Sequence, residues 1–372
     1  MKKTVGILLG TRPEAIKMLP VYLRMKQSEL LEPILISTGQ HKEMLQQIFD
    51  FFDVKPDVDF QLMAANQSLA SLTARLCNAL QGFLDKQPLD LMMVQGDTTS
   101  AFMGGLISFY NQIPVGHVEA GLRTYNKYAP FPEEINRKLV SCVADYNFAP
   151  TQKAKEALAH EHYSDVYVVG NTVVDALLKC LDLVNQNLAS YKARFPFLED
   201  GRKMVLITGH RRESFGEGFQ NICESIRYLA NKYPELRFVY PVHLNPNVRK
   251  VVYEILGAVD NIQMIEPLPY DDMVFMMSQS YILLTDSGGI QEEAPSLNIP
   301  ALVMRDTTER MEGIEKGCAI LVGTDKASII KHFEDLHGDE TLYQRMAAVP
   351  NPYGDGTSSD QIVKIVEQCL AN

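Results

Sequence analysis

Short apolar runs recur along the chain, most of them ending at a glycine-containing turn and leading into an amphipathic segment of helical period. In the N-terminal half the runs are Val5–Leu9 before Gly10, Ile34–Ser37 before Gly39, Leu91–Val94 before Gly96, and Pro114–Val118. In the C-terminal half they are Met204–Ile207 before Gly209, Arg237–Pro241, Tyr281–Leu284 before Gly288-Gly289, and Ala301–Met304. Strands this apolar are buried on both faces, which means parallel sheets covered by helices. Alternating strands and helices with short connections give doubly wound α/β layers. The pattern predicts two Rossmann-like domains, 1–170 and 171–351, meeting near Gly170-Asn171, where the strand Val166–Val169 ends and a helix begins. The stretch Asn185–Lys203 is polar and contains Pro196. Ser358–Leu370 reads as an amphipathic terminal helix, and 352–372 is expected to pack back on the first domain.

Length agrees with this division: 372 residues is two domains or a little more at roughly 150 residues each. Hydrophobic residues at 46% and charged residues at 22% are ordinary for a globular protein and exclude a disordered, collagenous or coiled-coil chain. The net charge of −11 repels nucleic-acid phosphates and anionic lipid, so neither nucleic acid nor membrane is expected as a partner. An anionic substrate then has to be met by a local basic pocket. Cys77, Cys142, Cys180, Cys223, Cys318 and Cys369 are widely spaced with no CxxC, as in reduced thiols of the cytosol. Val5–Leu9 is too short for a signal segment, and no stretch approaches ~18 uninterrupted apolar residues, so a cytoplasmic protein is expected.

In open parallel sheets the ligand lies beyond the carboxyl ends of the strands, and two such domains facing each other make a cleft. The turns there carry the candidate chemistry. In Gly10-Thr11-Arg12-Pro13-Glu14, Thr11 suits an N-cap, Pro13 a first helical turn and Glu14 the helix dipole. Arg12 and Lys17 then read as cations over the crevice or as solvated charges. Asp97, in the turn after Leu91–Val94, is a good cap candidate for the next helix or a carboxylate with another task. Glu119 follows a buried run and must find partners there, catalytic or merely structural. Glu133 and Arg137 stand at i,i+4 and also fit a plain surface pair. In the second half, Gly209-His210-Arg211-Arg212 is an anion-site candidate. The strongest motif is Asp286-Ser287-Gly288-Gly289, where a strand meets a helix N-terminus suited to a phosphate, with Glu293 one turn in and able to meet a ribose.

Other signals carry little. There is no GxGxxG and no GxxxxGK[ST]. Asp57 and Asp59 lie in a polar connector, and His160-Glu161-His162 is not HExxH and reads as surface. No metal site is expected.

Seven stretches in order resemble the non-hydrolysing UDP-N-acetylglucosamine 2-epimerases: Gly10–Met18, Gln95–Ser100, His117–Thr124, Phe131–Arg137, Thr208–Gly216, Thr285–Leu297 and Met304–Arg310. The resemblance runs over nearly the whole chain. It implies a two-domain glycosyltransferase-B fold, no metal or nicotinamide cofactor, a homodimer, and a place in cell-surface polysaccharide biosynthesis. It puts Asp97, Glu119 and Glu133 at catalytic carboxylate positions and His210 beside the leaving diphosphate. Arg12, Lys17, Ser287, Gly288, Gly289, Glu293 and Arg310 fall at nucleotide-sugar positions. Gln40, His41, Gln67, Glu134, Arg211 and His243 match a second pocket, where bacterial members can bind UDP-N-acetylglucosamine as activator. The chain departs from the pattern at Asn66 and Glu43, where Arg and Gln are expected. It departs again at Leu268 and Met273, where some members have Gln and Phe against the base.

The implied reaction suits these residues. The C2 proton of the sugar is not beside a carbonyl, so inversion needs transient oxidation or loss of the group on C1. A phosphate-binding constellation without a dinucleotide fingerprint favours loss of UDP, giving 2-acetamidoglucal, and re-addition. Two faces of the sugar need two acid–base groups. A hydrolysing relative that releases ManNAc, a glycosyltransferase of the same fold, and a non-catalytic nucleotide-sugar binder are the alternatives.

Overall fold

The computed structural model describes residues 2–39, 42–62, 67–209, 211 and 215–371. The chain divides into two compact units, Met1–Ala176 with Gly354–Asn372, and Leu177–Tyr353. The boundary expected at Gly170-Asn171 and the one drawn by packing lie on either side of the first turn of a single helix, Thr172–Gln186.

Unit 1 holds a parallel sheet of β1 (Lys3–Leu9), β2 (Leu31–Ser37), β3 (Val58–Asp59), β4 (Leu91–Gln95), β5 (Val115–Val118), β6 (Tyr146–Ala149) and β7 (Val166–Val168), in the spatial order 3-2-1-4-5-6-7. Its helices are α1 (Arg12–Met25), α2 (Lys42–Phe51), α3 (Leu69–Leu84), α4 (Thr99–Tyr110), α5 (Glu133–Val143), α6 (Gln152–His160) and the start of α7 (Thr172–Gln186). Leu8, Met92 and Val94 of the sheet pack with Leu72, Leu76 and Leu80 of α3 and Met103 of α4. Each strand of the sheet centre is apolar on both faces because helices cover both.

Unit 2 repeats the plan. After α8 (Leu188–Arg194) come β8 (Lys203–Thr208), α9 (Glu217–Lys232), β9 (Leu236–Pro241), α10 (Pro246–Leu256), β10 (Ile262–Ile265), α11 (Tyr270–Ser278), β11 (Ser280–Thr285) and α12 (Gly288–Glu293). Then follow β12 (Ala301–Val303), α13 (Met311–Lys316), β13 (Ala319–Leu321), α14 (Lys326–Gly338) and α15 (Glu340–Ala347). The sheet is parallel in the order 10-9-8-11-12-13, over a core that includes Val205, Ile207, Phe219, Phe238, Tyr240 and Phe333. Strand order reverses beside β1 and β4 in unit 1 and beside β8 and β11 in unit 2, the places where doubly wound sheets open a crevice.

The terminal helix α16 (Ser358–Ala371) belongs to unit 1 and lies on α1, where Asp360 pairs with Arg24 and Glu367 accepts from Ser28 Oγ at 2.6 Å. The polar stretch 185–203 is more ordered than its composition suggests. Tyr191 of α8 is buried, and Arg194 pairs with Asp272 of α11 at 2.7 Å. The short strands β3, β6, β10 and β13 were not legible as apolar runs.

Beyond β5 the chain turns sharply, with Glu119 at φ +63° and Gly121 at φ +93°. A Cβ on Gly121 would lie 2.3 Å from the Ala154 carbonyl oxygen, which is backbone and has little room to move. Gly121→Ala should therefore cost about 2–3 kcal/mol and lower the Tm by several degrees. An unchanged Tm in a calorimetric scan would contradict this close approach.

Candidate functional site

In unit 1 the polar residues gather on the turns that leave β1, β4 and β5. Thr11 is the N-cap of α1, as the sequence suggested, and Glu14 is its reciprocal partner in a capping box. Lys17, on the next turn of α1, reaches Glu119 Oε1 at 2.5 Å, with both side chains largely buried. The other oxygen of Glu119 accepts from Gln95 Nε2, at the end of β4. The Glu119 carboxylate lies against Gly96, where a Cβ would sit 3.5 Å from Oε2.

Asp97 does not cap α4. That task falls to Thr98, whose hydroxyl accepts from Ala101 N at 3.0 Å. Instead Asp97 Oδ2 receives Arg137 through Nε at 2.8 Å and Nη2 at 2.7 Å, and Asn136 Nδ2 donates to the Asp97 carbonyl at 2.9 Å. The Arg137 guanidinium does not make the surface pair with Glu133 that the spacing also allowed: it spans Asp97 and Glu134, the latter at 3.2 Å. Glu133, at the start of α5, has one buried carboxylate oxygen, Oε2, with no hydrogen-bond partner. An acceptor left so is costly unless something occupies it.

His117, buried in β5, donates Nε2–H to the Gly96 carbonyl at 2.8 Å, because a carbonyl can only accept. Burial pushes its pKa down to about 4 against the pull of that hydrogen bond, so the ring is neutral at pH 7. Glu14 is also buried. Its carboxyl is pushed up by burial and pulled back by the donors of Thr98, Thr11 and Gly10.

In unit 2 the turns after β8 and β11 are tied to each other. Thr208 and Thr285 share a hydroxyl contact of 2.6 Å, Tyr240 Oη donates to the Gly209 carbonyl at 2.6 Å, and Asp286 accepts the main-chain N–H of Arg211 at 2.7 Å. Ser287 stands at the N-cap position of α12 without a side-chain capping bond, and Gly288 leaves room for the Arg310 guanidinium, which a Cβ there would approach to 3.2 Å. Arg310 is held by Glu292 at 2.9 Å and Glu309 at 2.5 Å. Burial alone would raise the Glu309 carboxyl, but Arg310 and Arg305 hold it below the usual range. Glu293 is buried and accepts from Tyr270 Oη at 3.1 Å.

The structure thus brings Lys17, Asp97, Glu119 and Glu133 onto one end of the unit 1 sheet, with Arg12 at the first position of α1. Ser287, Gly288, Gly289, Glu293 and Arg310 fall at one end of the unit 2 sheet. His210, Gln40, His41 and Asn66 lie outside the described residues. Of the remaining activator positions, Gln67 accepts from Arg75 at 3.2 Å and Glu134 is buried in unit 1, while Arg211 and His243 are in unit 2. Sequence reasoning gave no role to Gln95 or Asn136, and none beyond its own helix to Glu14. A polar residue closing an apolar strand was the available signal for Gln95. His160 and His162 are exposed, as expected, and the partly exposed Glu161 between them meets the buried side chain of Arg123 with both oxygens, at 2.9 and 2.7 Å. Among the described residues no three His, Cys, Asp or Glu side chains are grouped to hold a metal ion, and no helix is long and apolar enough to cross a membrane.

Residues 23–367 match the family model described as UDP-N-acetylglucosamine 2-epimerase. The chain belongs to the UDP-N-acetylglucosamine 2-epimerase family. It is 46% identical over 365 residues to the Yersinia pestis UDP-N-acetylglucosamine 2-epimerase, covering 97% of each chain. It is similar, at 46% identity and a TM-score of 0.92, to the Neisseria meningitidis UDP-GlcNAc 2-epimerase solved bound to UDP-GlcNAc, covering 98% of this chain and 100% of that one. The fold extends to a Rickettsia africae glycosyltransferase at 14% identity and a TM-score of 0.67, covering 100% of this chain and 99% of that one, in keeping with the fold class expected from the sequence.

One of those turns has a pH signature. Glu134 accepts Thr124 N at 2.9 Å and Tyr125 N at 3.0 Å as well as Arg137. Burial works to raise its pKa, but these donors outweigh it and hold the carboxyl below its ordinary 4.5. A lowered folded-state pKa stabilises above the unfolded value, and the contribution fades as pH falls through the lowered one. The Tm deficit of Glu134→Gln should therefore be largest near neutral pH and shrink below pH 4.5. A deficit independent of pH would contradict the assignment.

Proposed function

We infer that the protein interconverts UDP-N-acetylglucosamine and UDP-N-acetylmannosamine without hydrolysis, by eliminating UDP and adding it back. The observation that carries this reading is the arrangement of Asp97 and Glu119 on turns after adjacent strands, each held by a cation from another element: Arg137 for Asp97, Lys17 for Glu119. Positioned carboxylates of this kind are what proton removal from one face of C2 and delivery to the other require. The C2–H electron pair becomes the C1–C2 double bond of 2-acetamidoglucal as the C1–O pair leaves with the diphosphate. Glu133, with its unpartnered buried oxygen, is the third acid–base candidate.

Unit 2 supplies the nucleotide side. The N–H groups that open α12 at Ser287–Gly289, with Arg310 beside them, suit a diphosphate carrying developing charge. Glu293 is assigned to the ribose, Arg12 to the nucleotide sugar and His210 to the leaving diphosphate, as the family pattern implies. The bound UDP-GlcNAc of the Neisseria relative supports the substrate class.

The test is to incubate the pure protein with UDP-GlcNAc alone and follow ¹H and ³¹P NMR. UDP-ManNAc should appear, and the same mixture should be reached from UDP-ManNAc. Stoichiometric free ManNAc and UDP would instead show a hydrolysing enzyme. In the same assay Asp97→Asn, Glu119→Gln and Glu133→Gln should each lose at least ~10²-fold in kcat in protein that is still folded. A near-wild-type rate in any of the three removes that residue from the mechanism.

A further inference from the structure

Glu14 is more than a helix cap. Its Oε2 alone completes the capping box, accepting Gly10 N at 3.0 Å, Thr11 N at 2.7 Å and Thr11 Oγ1 at 2.7 Å. Its Oε1 turns away from α1 and accepts Thr98 Oγ1 at 2.6 Å, across 84 residues of sequence. A capping carboxyl gains nothing for its own helix from that second contact, and at only 2% exposed it is met by four donors. Thr98 follows Asp97 directly and starts α4. The neighbouring backbone is fixed by His117 on the Gly96 carbonyl and Asn136 on the Asp97 carbonyl. The two turns also meet without slack: a Cβ on Gly10 would lie 2.6 Å from Ser100 Oγ and 2.4 Å from Thr38 Oγ1.

We propose that Glu14 is a positioning residue for the reaction, one carboxylate oxygen fixing the start of α1 and the other fixing the Asp97 turn. α1 carries Lys17, which holds Glu119, so one rigid element sets both reacting carboxylates relative to each other. This rests on the reading of Asp97 and Glu119 as the acid–base groups. A displacement of about 1 Å in such a group is enough to cost up to ~10²-fold in rate.

The experiment compares Thr98→Val, Thr98→Ser and Glu14→Gln with the wild type. Thr98→Val removes the hydroxyl, Thr98→Ser keeps it, and Glu14→Gln replaces an acceptor by an amide. Thr98→Val and Glu14→Gln should each lower kcat about tenfold or more, with KM changed by less than about twofold, and Thr98→Ser should restore the wild-type kcat. Hydrogen exchange read by mass spectrometry on the same proteins is independent of turnover. Glu14→Gln should speed exchange in the peptide covering 96–101, and Thr98→Val in the peptide covering 10–14. Wild-type epimerisation tests the functional reading by itself; the exchange result stands whether or not it is seen. A Tm loss with kcat unchanged in the folded protein, exchange confined to the altered turn, or failure of both variants to fold beside a normal Thr98→Ser, would each overturn the positioning role and leave Glu14 a structural cap.

Discussion

A carboxylate taken out of water has to be met by a cation or by N–H and O–H donors, and the polar ends of both sheets are arranged around that requirement. Apolar parallel strands bury everything along their length, so charge is displaced to the turns beyond them. There Glu14 takes four donors, Asp97 takes Arg137, Glu119 takes Lys17 and Gln95, and Glu134 takes two backbone N–H groups and Arg137. In unit 2, Glu292 and Glu309 share Arg310, and Glu293 takes Tyr270. Meeting these needs fixes the side chains in place, which is the precondition for acid–base chemistry with defined geometry.

The partners come from different elements, and this makes each unit cooperative at its polar end. Arg137 of α5 joins the turn after β4 to Glu134, which in turn holds the loop before α5. Lys17 of α1 joins β1 to the end of β5. The neutral ring of His117 adds a donor inside the sheet without adding charge, because burial keeps it unprotonated. Removing any one partner leaves a buried charge behind, and such losses cost more than the contact was worth.

Much of this was legible in the sequence, for a physical reason. The central strands β1, β4, β5, β8 and β11 are covered on both faces, so their apolar runs stand out and fix which turns matter. Asp97 and Glu119 stand out because a charge directly follows a buried run. The edge strands β3, β10 and β13 are two to four residues long, and β6 carries the buried Asn147, so neither gave a clear signal. α8 hides in a polar stretch because Tyr191 is its one buried side chain. An acidic residue in a first helical turn reads the same whether exposed or buried, so Glu14 gave no hint of Thr98. Arg137 looked like half of a local pair with Glu133 because one of its two partners, Asp97, is 40 residues away.

The central claim is that UDP leaves and returns, and isotope position tests it most directly. UDP-GlcNAc would be labelled with ¹⁸O in the bridge between C1 and the β-phosphorus, incubated with the protein in D₂O, and read by ³¹P and ¹H NMR. The account predicts deuterium at C2 of the product together with migration of the label to non-bridging oxygens of the β-phosphate, since freed UDP can rotate before it re-adds. Deuterium at C2 with the label wholly retained in the bridge would mean that the C1–O bond never breaks, and would contradict elimination.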